Sequence, residues 1–331
     1  MKERESGFEA LRVVAMCMVV VLHLDGAAVG LPAAVGPWAA SARDWWRLAV
    51  EAAAIVGVNC FTMISGYFGI RLSWRSVARF LGVCLVYSVG VTSVVMLIKG
   101  TWQWTQWGEA WMVLTHTDLW YVPAYFGLCL LAPLLNAGMD ALSRRQLGWT
   151  VLAFVAFNCY CGWWHGGRFN PTGYTILQLV MMYLIGGYIR RHVDLRRDAV
   201  RLRAWAAAVY VWMAMAVTFM GLFCRSTFTF AYNSPLVIVE SVALFMVFGT
   251  LCFQSRVVNR LAAGAFAVYL IHKHPIIWIE YLRPLMNRLW HTTTLAEYTL
   301  LCLLITAGIY LLCAGIDHLR RAVANRRQVV E

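Results

Sequence analysis

The chain has 331 residues, 61% of them hydrophobic and only 13% charged, and its mean hydropathy is +0.64. Soluble domains carry roughly 25% charged residues, so water is excluded as the main solvent and an all-α, polytopic membrane protein is expected. The net charge of +12 would suit nucleic acid, but its placement between apolar runs is that of topological signals, and no nucleic-acid partner is expected.

A membrane span needs about 20 apolar residues, because the hydrocarbon core is about 30 Å thick and an α-helix rises 1.5 Å per residue. Such runs lie near 8–30, 48–70, 77–98, 119–139, 147–163, 174–189, 204–223, 234–253, 262–282 and 295–316. About ten transmembrane helices are therefore predicted, in one membrane domain over 1–331 with no linker or soluble module between spans. With these spans, Lys2, Arg4, Arg71, Arg75, Arg79, Arg144, Arg145, the run Arg190 to Arg203, Arg256, Arg260, Arg320, Arg321, Arg326 and Arg327 all fall on one side. Arg43, Arg47, Lys99, Arg168, Arg225, Arg283 and Arg288 fall on the other. The positive-inside rule then makes both termini cytoplasmic. The first segment has the small residues of a cleaved signal peptide, but its removal would turn Arg71 to Arg79 to the wrong side.

The longest loops are expected near 99–118 and 190–203. The first carries Trp102, Trp104, Trp107 and Trp111, which suit either a lipid-anchoring belt or a sugar-stacking surface. The second is a basic contact for anionic lipids. Of ten cysteines, Cys17, Cys60, Cys84, Cys129, Cys252, Cys302 and Cys313 sit in apolar runs and read as small core residues. No residue set has metal-ligand spacing, so no metal is expected.

Ionisable groups inside a bilayer cost about 2.5 to 3.5 kcal/mol or more each, which makes them functional candidates. The first span carries Glu9, Arg12 and His23, with Asp25 just beyond. Arg12 and His23 are eleven residues apart, about three turns and 20°, so they share a helix face and are separated by about 16 Å. Glu9 lies one turn before Arg12 and is placed to pair with it. Asp25 either orients His23 or caps the outer end of its helix. His272 and Glu240 are candidate acceptor-site or relay groups, or polar glue between helices; Lys273 and His274 are further ionisable residues of the ninth span.

Taken in order, these residues resemble one family. Glu9-Ala-Leu-Arg12 followed by His23, Asn59 to Phe68 containing Ser65-Gly66-Tyr67 with Arg71 close behind, Leu119-Trp120-Tyr121 with Pro133 to Asn136, Tyr232 to Pro235 and Tyr269-Leu-Ile-His272 are similar to the acyltransferase 3 group of bacterial membrane O-acyltransferases. That group includes acetylases of surface polysaccharides, and the likeness covers nearly the whole chain. The resemblance implies an acetyl or other short acyl group taken from cytoplasmic acyl-CoA, a co-substrate and not a tightly bound cofactor. It also implies delivery to a hydroxyl of an extracytoplasmic or lipid-linked glycan, as in exopolysaccharide O-acetylation, by a multi-pass enzyme of the bacterial cytoplasmic membrane. His23 is then the catalytic residue with Arg12 beside it, and Arg71 with Ser65-Gly66 lies near the donor site. Some relatives add a C-terminal hydrolase-like domain, and this sequence ends at 331 without one. Glu240 matches no family motif.

The chemistry agrees. A sugar hydroxyl attacking a thioester needs a base, which an imidazole supplies near neutral pH, although His23 could equally hold the acyl group as a nucleophile. Arg71, Arg75 and Arg79 suit the donor's phosphates or serve as topology signals, and Gly66 permits a close backbone approach. Trp120 and Tyr121 form either an interfacial belt or a sugar platform, and Asn233-Ser-Pro235 is a good helix start. A secondary transporter or lipid-linked-sugar carrier is the main rival, and a sensor or scaffold a further one. No repeat between 1–165 and 166–331 favours the transporter.

Overall fold

A computed structural model of the chain describes residues 6–115, 119–165 and 169–327, the last three by backbone alone. Lys2, Arg4 and Arg168, and the side chains of Arg326 and Arg327, all used for the orientation above, lie outside the described residues. Every described element is helical. In chain order they are α1 (Ser6–Leu22), α2 (Ala42–Ala54), α3 (Gly57–Phe68), α4 (Trp74–Lys99), α5 (Trp104–Glu109), α6 (Tyr121–Ala141), α7 (Arg144–Phe157) and α8 (Ile176–His192). There follow α9 (Ala199–Phe223), α10 (Ser226–Thr229), α11 (Pro235–Gly249), α12 (Arg256–Ala263), α13 (Ala265–His272), α14 (Pro275–Ile277), α15 (Arg283–Thr292) and α16 (Leu295–Arg327). Wider π-helical turns continue three of them, at His23–Ala27, Asn158–Trp164 and Trp278–Leu282.

Among the described residues six helical segments are long and apolar enough to cross a membrane: Ser6–Ala27, Ala42–Phe68, Trp74–Lys99, Tyr121–Ala141, Ala199–Phe223 and Leu295–Ala324. The other expected runs are also helical but shorter or broken. α8 has 17 residues and α11 has 15, α7 passes into a π turn, and the run near 262–282 is divided among α13, α14 and a π turn. The second segment begins at Ala42 rather than near 48, because Ser41 and Asp44 close a capping box and start the helix in polar sequence. Arg47, assigned to a loop by its charge, thereby sits buried on α2.

Between α8 and α9 only 193–198 are not helical, so most of the expected 190–203 loop is helix, with Arg191 paired to Asp140 at 2.6 Å. The Trp-rich loop contains α5, and its four indoles pack edge-on or tilted against one another, Trp107 Nε1 donating to Ser93 Oγ. Cys252 is not a core residue. It is exposed past the end of α11, where Arg196 reaches its sulfur.

The contacts divide the chain into two compact units. The first comprises Met1–Gly30, Ala78–Leu119 and Gln254–Glu331. In it α1 packs on α12, α13 and α16. Buried polar bonds tie α4 and the end of α1 to α16, with Tyr87 donating to Asp317 at 2.7 Å and Tyr298 to Asp25 at 3.0 Å. The second comprises Leu31–Val77 and Trp120–Phe253, where α3 packs on α8 and α11, and α9 on α2 and α11. Its centre is an amide chain: Asn59 Nδ2 donates to Ser241 Oγ and the Tyr232 carbonyl, Gln178 to Asn59, Asn158 to Gln178, and Asn170 to Asn158, all within 3.1 Å. Buried amides stay only where they are bonded in this way.

Two glycines set the α3–α8 spacing. A Cβ on Gly66 would collide with the Tyr183 backbone, and one on Gly186 with the Met63 backbone. Gly66→Val or Gly186→Val should therefore overpack the contact and cost about 1 to 3 kcal/mol, seen as a lower Tm in detergent. Gly82→Ala, whose Cβ meets nothing within 4 Å, should leave the Tm unchanged or raise it slightly.

Candidate active site

α1 carries the site from one end to the other. Near its start Ser6 Oγ donates to Asn259 at 3.0 Å and accepts from the Ser255 backbone N–H at 2.9 Å, which fixes α1 against α12. One turn on, Arg12 Nη1 donates to Glu9 Oε1 at 2.5 Å. Glu9 is 8% exposed and Arg12 29%, so the acid is held inside and the guanidinium projects toward the surface. The i,i+3 spacing puts the two on neighbouring positions of one face.

At His23 the helix widens into a π turn, a feature that accumulates at functional sites. The half-buried His23 Nδ1 lies 2.9 Å from Nε2 of His272, which is buried at the end of α13. The other nitrogen of His272, Nδ1, lies 2.6 Å from the Val268 carbonyl. That carbonyl only accepts, so Nδ1 of His272 carries a proton and, in the neutral ring, Nε2 accepts. His23 Nδ1 is then the donor, and its Nε2 is left with a lone pair. The chain Val268, His272, His23 thus fixes a tautomer in the way a buried partner orients a catalytic imidazole. Trp278, the first residue of another π turn, lies 6.0 Å from the His23 ring, and Lys273 Nζ stands 4.1 Å from the Trp278 centroid. Asp25, in the same turn as His23, accepts from Tyr298.

The second unit holds the remaining candidates. Ser65 Oγ donates to the Phe61 carbonyl at 3.1 Å and lies 3.2 Å from Tyr125 Oη, while Gly66 is closed by the Tyr183 backbone. The close approach that Gly66 permits is therefore that of α8. Arg71 and Arg75 are exposed where α3 gives way to α4. Trp120 and Tyr121 are half-buried. Trp120 packs on Tyr174 at 4.7 Å and Tyr232 at 5.9 Å, and Tyr121 stacks on Tyr125 at 5.4 Å, so the rings lead from Tyr232 to Ser65. Glu240 is fully buried in α11, and neither carboxyl oxygen has a hydrogen-bond partner among the described residues. α11 begins at Pro235 with Ser234 as its N-cap, the start expected from Asn233-Ser-Pro235.

The structure therefore unites Glu9 with Arg12, and His23 with His272 across 249 residues of sequence. Trp278, Tyr298 and Tyr125 have no distinguishing signal in the sequence, since each lies in an apolar run where an aromatic residue is ordinary core.

The tautomer is directly observable. In protein labelled with 15N histidine, His23 should give the Nδ1–H pattern, and His272→Phe should abolish that preference. The same change leaves a buried donor unpaired, at a cost of about 1 to 3 kcal/mol, read as a drop in Tm. An unchanged His23 spectrum would exclude the hydrogen-bond chain.

Among known proteins, the family model described as an acyltransferase domain matches residues 5–314. Comparison with curated proteins gives no match, and comparison with solved structures gives none.

Proposed function

The chain belongs to the acyltransferase 3 family, and from that membership we propose that it moves an acetyl or other short acyl group from cytoplasmic acyl-CoA to a hydroxyl of an extracytoplasmic or lipid-linked glycan. Its family and its apolar helices make it a multi-pass membrane acyltransferase. We assign it ten crossings, both termini in the cytoplasm, and a place in the bacterial plasma membrane. This assignment is supported by helices at all ten apolar runs and by the one-sided cations, which the positive-inside rule puts in the cytoplasm.

The observation that carries the reaction is the Val268–His272–His23 hydrogen-bond chain. With its Nδ1 proton committed to His272, His23 offers Nε2 as the general base that takes the proton of the attacking hydroxyl. A base so placed contributes about 10²- to 10⁴-fold. As the C–O bond forms and the C–S bond breaks, that proton passes to the departing thiolate and CoA leaves as the thiol. His272 acts as a positioning residue. Arg12, oriented by Glu9, is the cation on the donor's approach along α1. Arg71, Arg75 and the Ser65-Gly66 segment remain candidates for donor binding, with Gly66 acting through helix packing. The rings of Trp120 and Tyr121 suit the faces of an acceptor sugar, and Glu240 is a relay candidate.

Two measurements test this. With purified protein, His23→Ala should lower acetyl-CoA turnover by at least about 10²-fold, and turnover that survives the change removes His23 from the mechanism. Saturating acetyl-CoA, at about 100 times its Kd, should stabilise the wild type by about 2.7 kcal/mol, and no rise in Tm would leave the donor assignment without support. Mass analysis of surface glycans from cells with and without the gene identifies the acceptor, through the loss of one acetyl mass per modified sugar.

A further inference from the structure

Between α12 and α16, inside the unit that holds His23, lies a cavity of about 270 Å³. Its walls include Asn259, Arg260, Gly264, Asp317, His318 and Arg321. We propose that this cavity seats the phosphate-bearing nucleotide end of the acyl-CoA donor, an inference that rests on the acyl-CoA reading above.

The charges point to an anion. The one acid in the wall, Asp317, is already committed: Tyr87 donates to it at 2.7 Å, Arg320 through Nε at 2.9 Å and Nη2 at 2.7 Å, and Arg321 through Nε at 2.6 Å. Arg321 also donates to the Ala263 carbonyl at 2.5 Å, so it answers the exposed end of α12 as well. Asp317 is thus outnumbered by its own arginines. Arg260 has no acidic partner among the described residues. The Oδ1 of Asn259 is taken by Ser6, which leaves its amide NH₂ as a donor. A guanidinium, an amide and an imidazole around one small space form the donor set of a phosphate site.

Size and position point to the donor. The cavity is smaller than the roughly 300 to 1,000 Å³ of a drug-sized site, so it takes one end of a long ligand. Asn259 is bonded to Ser6 at the start of α1, which has 17 residues before His23. His23 is therefore about 25 Å along the axis, with Arg12 about 9 Å along it. A pantetheine arm reaches roughly 15 to 20 Å, comparable with five or six residues of extended chain, and its diphosphate adds several ångströms. A nucleotide held at the foot of α1 thus brings the thioester to the level of His23, passing Arg12 on the way.

An anionic lipid headgroup offers similar phosphate chemistry, so the experiment separates the two. The probe is adenosine 3′,5′-bisphosphate, which carries the donor's nucleotide phosphates and no thioester, added to purified full-length protein. It should raise the wild-type Tm and compete with acetyl-CoA. Arg260→Glu should weaken its binding at least about tenfold and raise KM for acetyl-CoA by a similar factor with a much smaller change in kcat. His318→Ala should act in the same direction, and is the variant to read if Arg260→Glu does not fold. Equal bisphosphate affinity in wild type and folded variants overturns the proposal. So does a wild-type Tm that rises with phosphatidylglycerol nanodiscs, but not with the bisphosphate, and loses that rise in Arg260→Glu. If the wild type turns over no acyl-CoA, the function reading fails by itself, and bisphosphate binding still decides what the cavity holds.

Discussion

A helix in hydrocarbon has no water to bond to, so each polar side chain it carries inward must find a partner on another helix or remain at a cost of several kcal/mol. Much of what gives this bundle a definite register follows from that constraint. Tyr298 meets Asp25, Tyr87 meets Asp317, and the amides of Asn59, Gln178, Asn158 and Asn170 hand donors from one to the next. Apolar side chains pack in several alternative ways at similar energy. A hydrogen bond of about 3 Å does not slide, and so these few bonds decide which turn faces which.

The same constraint makes the proposed base usable. A lone imidazole in a span could take either tautomer or lose its place. His272 prevents both, because its own Nδ1 is anchored to a backbone carbonyl one turn back on α13. A peptide carbonyl cannot be protonated near neutral pH, so polarity runs in one direction along the chain and ends at Nε2 of His23. A carboxylate partner would give the same direction at the cost of burying a full charge.

Some of this was legible in the sequence. The apolar runs correspond to helices because the need to leave water acts on each run separately. The Glu9–Arg12 pair was legible because an i,i+3 contact is decided by helix geometry alone. His23 and His272 could each be singled out as costly, but their partnership could not, since no local rule joins residues 249 apart. The start of α2 was hidden by Arg43, Asp44 and Arg47, which break the apolar signal although Ser41 and Asp44 carry a capping one. Gly66 is legible in sequence as a residue whose missing side chain lets something come close. What approaches was invisible, because Tyr183 enters only through the packing of α8.

The turn at His23 has a wider consequence. A π turn holds one more residue than an α turn over the same arc, with its hydrogen bonds reaching i+5 instead of i+4. Loss of any one residue within His23–Ala27 would let the helix relax to regular pitch. Because the additional residue shares an arc that an α turn would fill, the residues beyond the turn would nearly keep their places. The same loss in the regular part of α1 would rotate all that follows by about 100° and shift it by about 1.5 Å, taking His23 from His272 and Asp25 from Tyr298. A change of one residue in length is thus absorbed at this turn and transmitted from the helix before it.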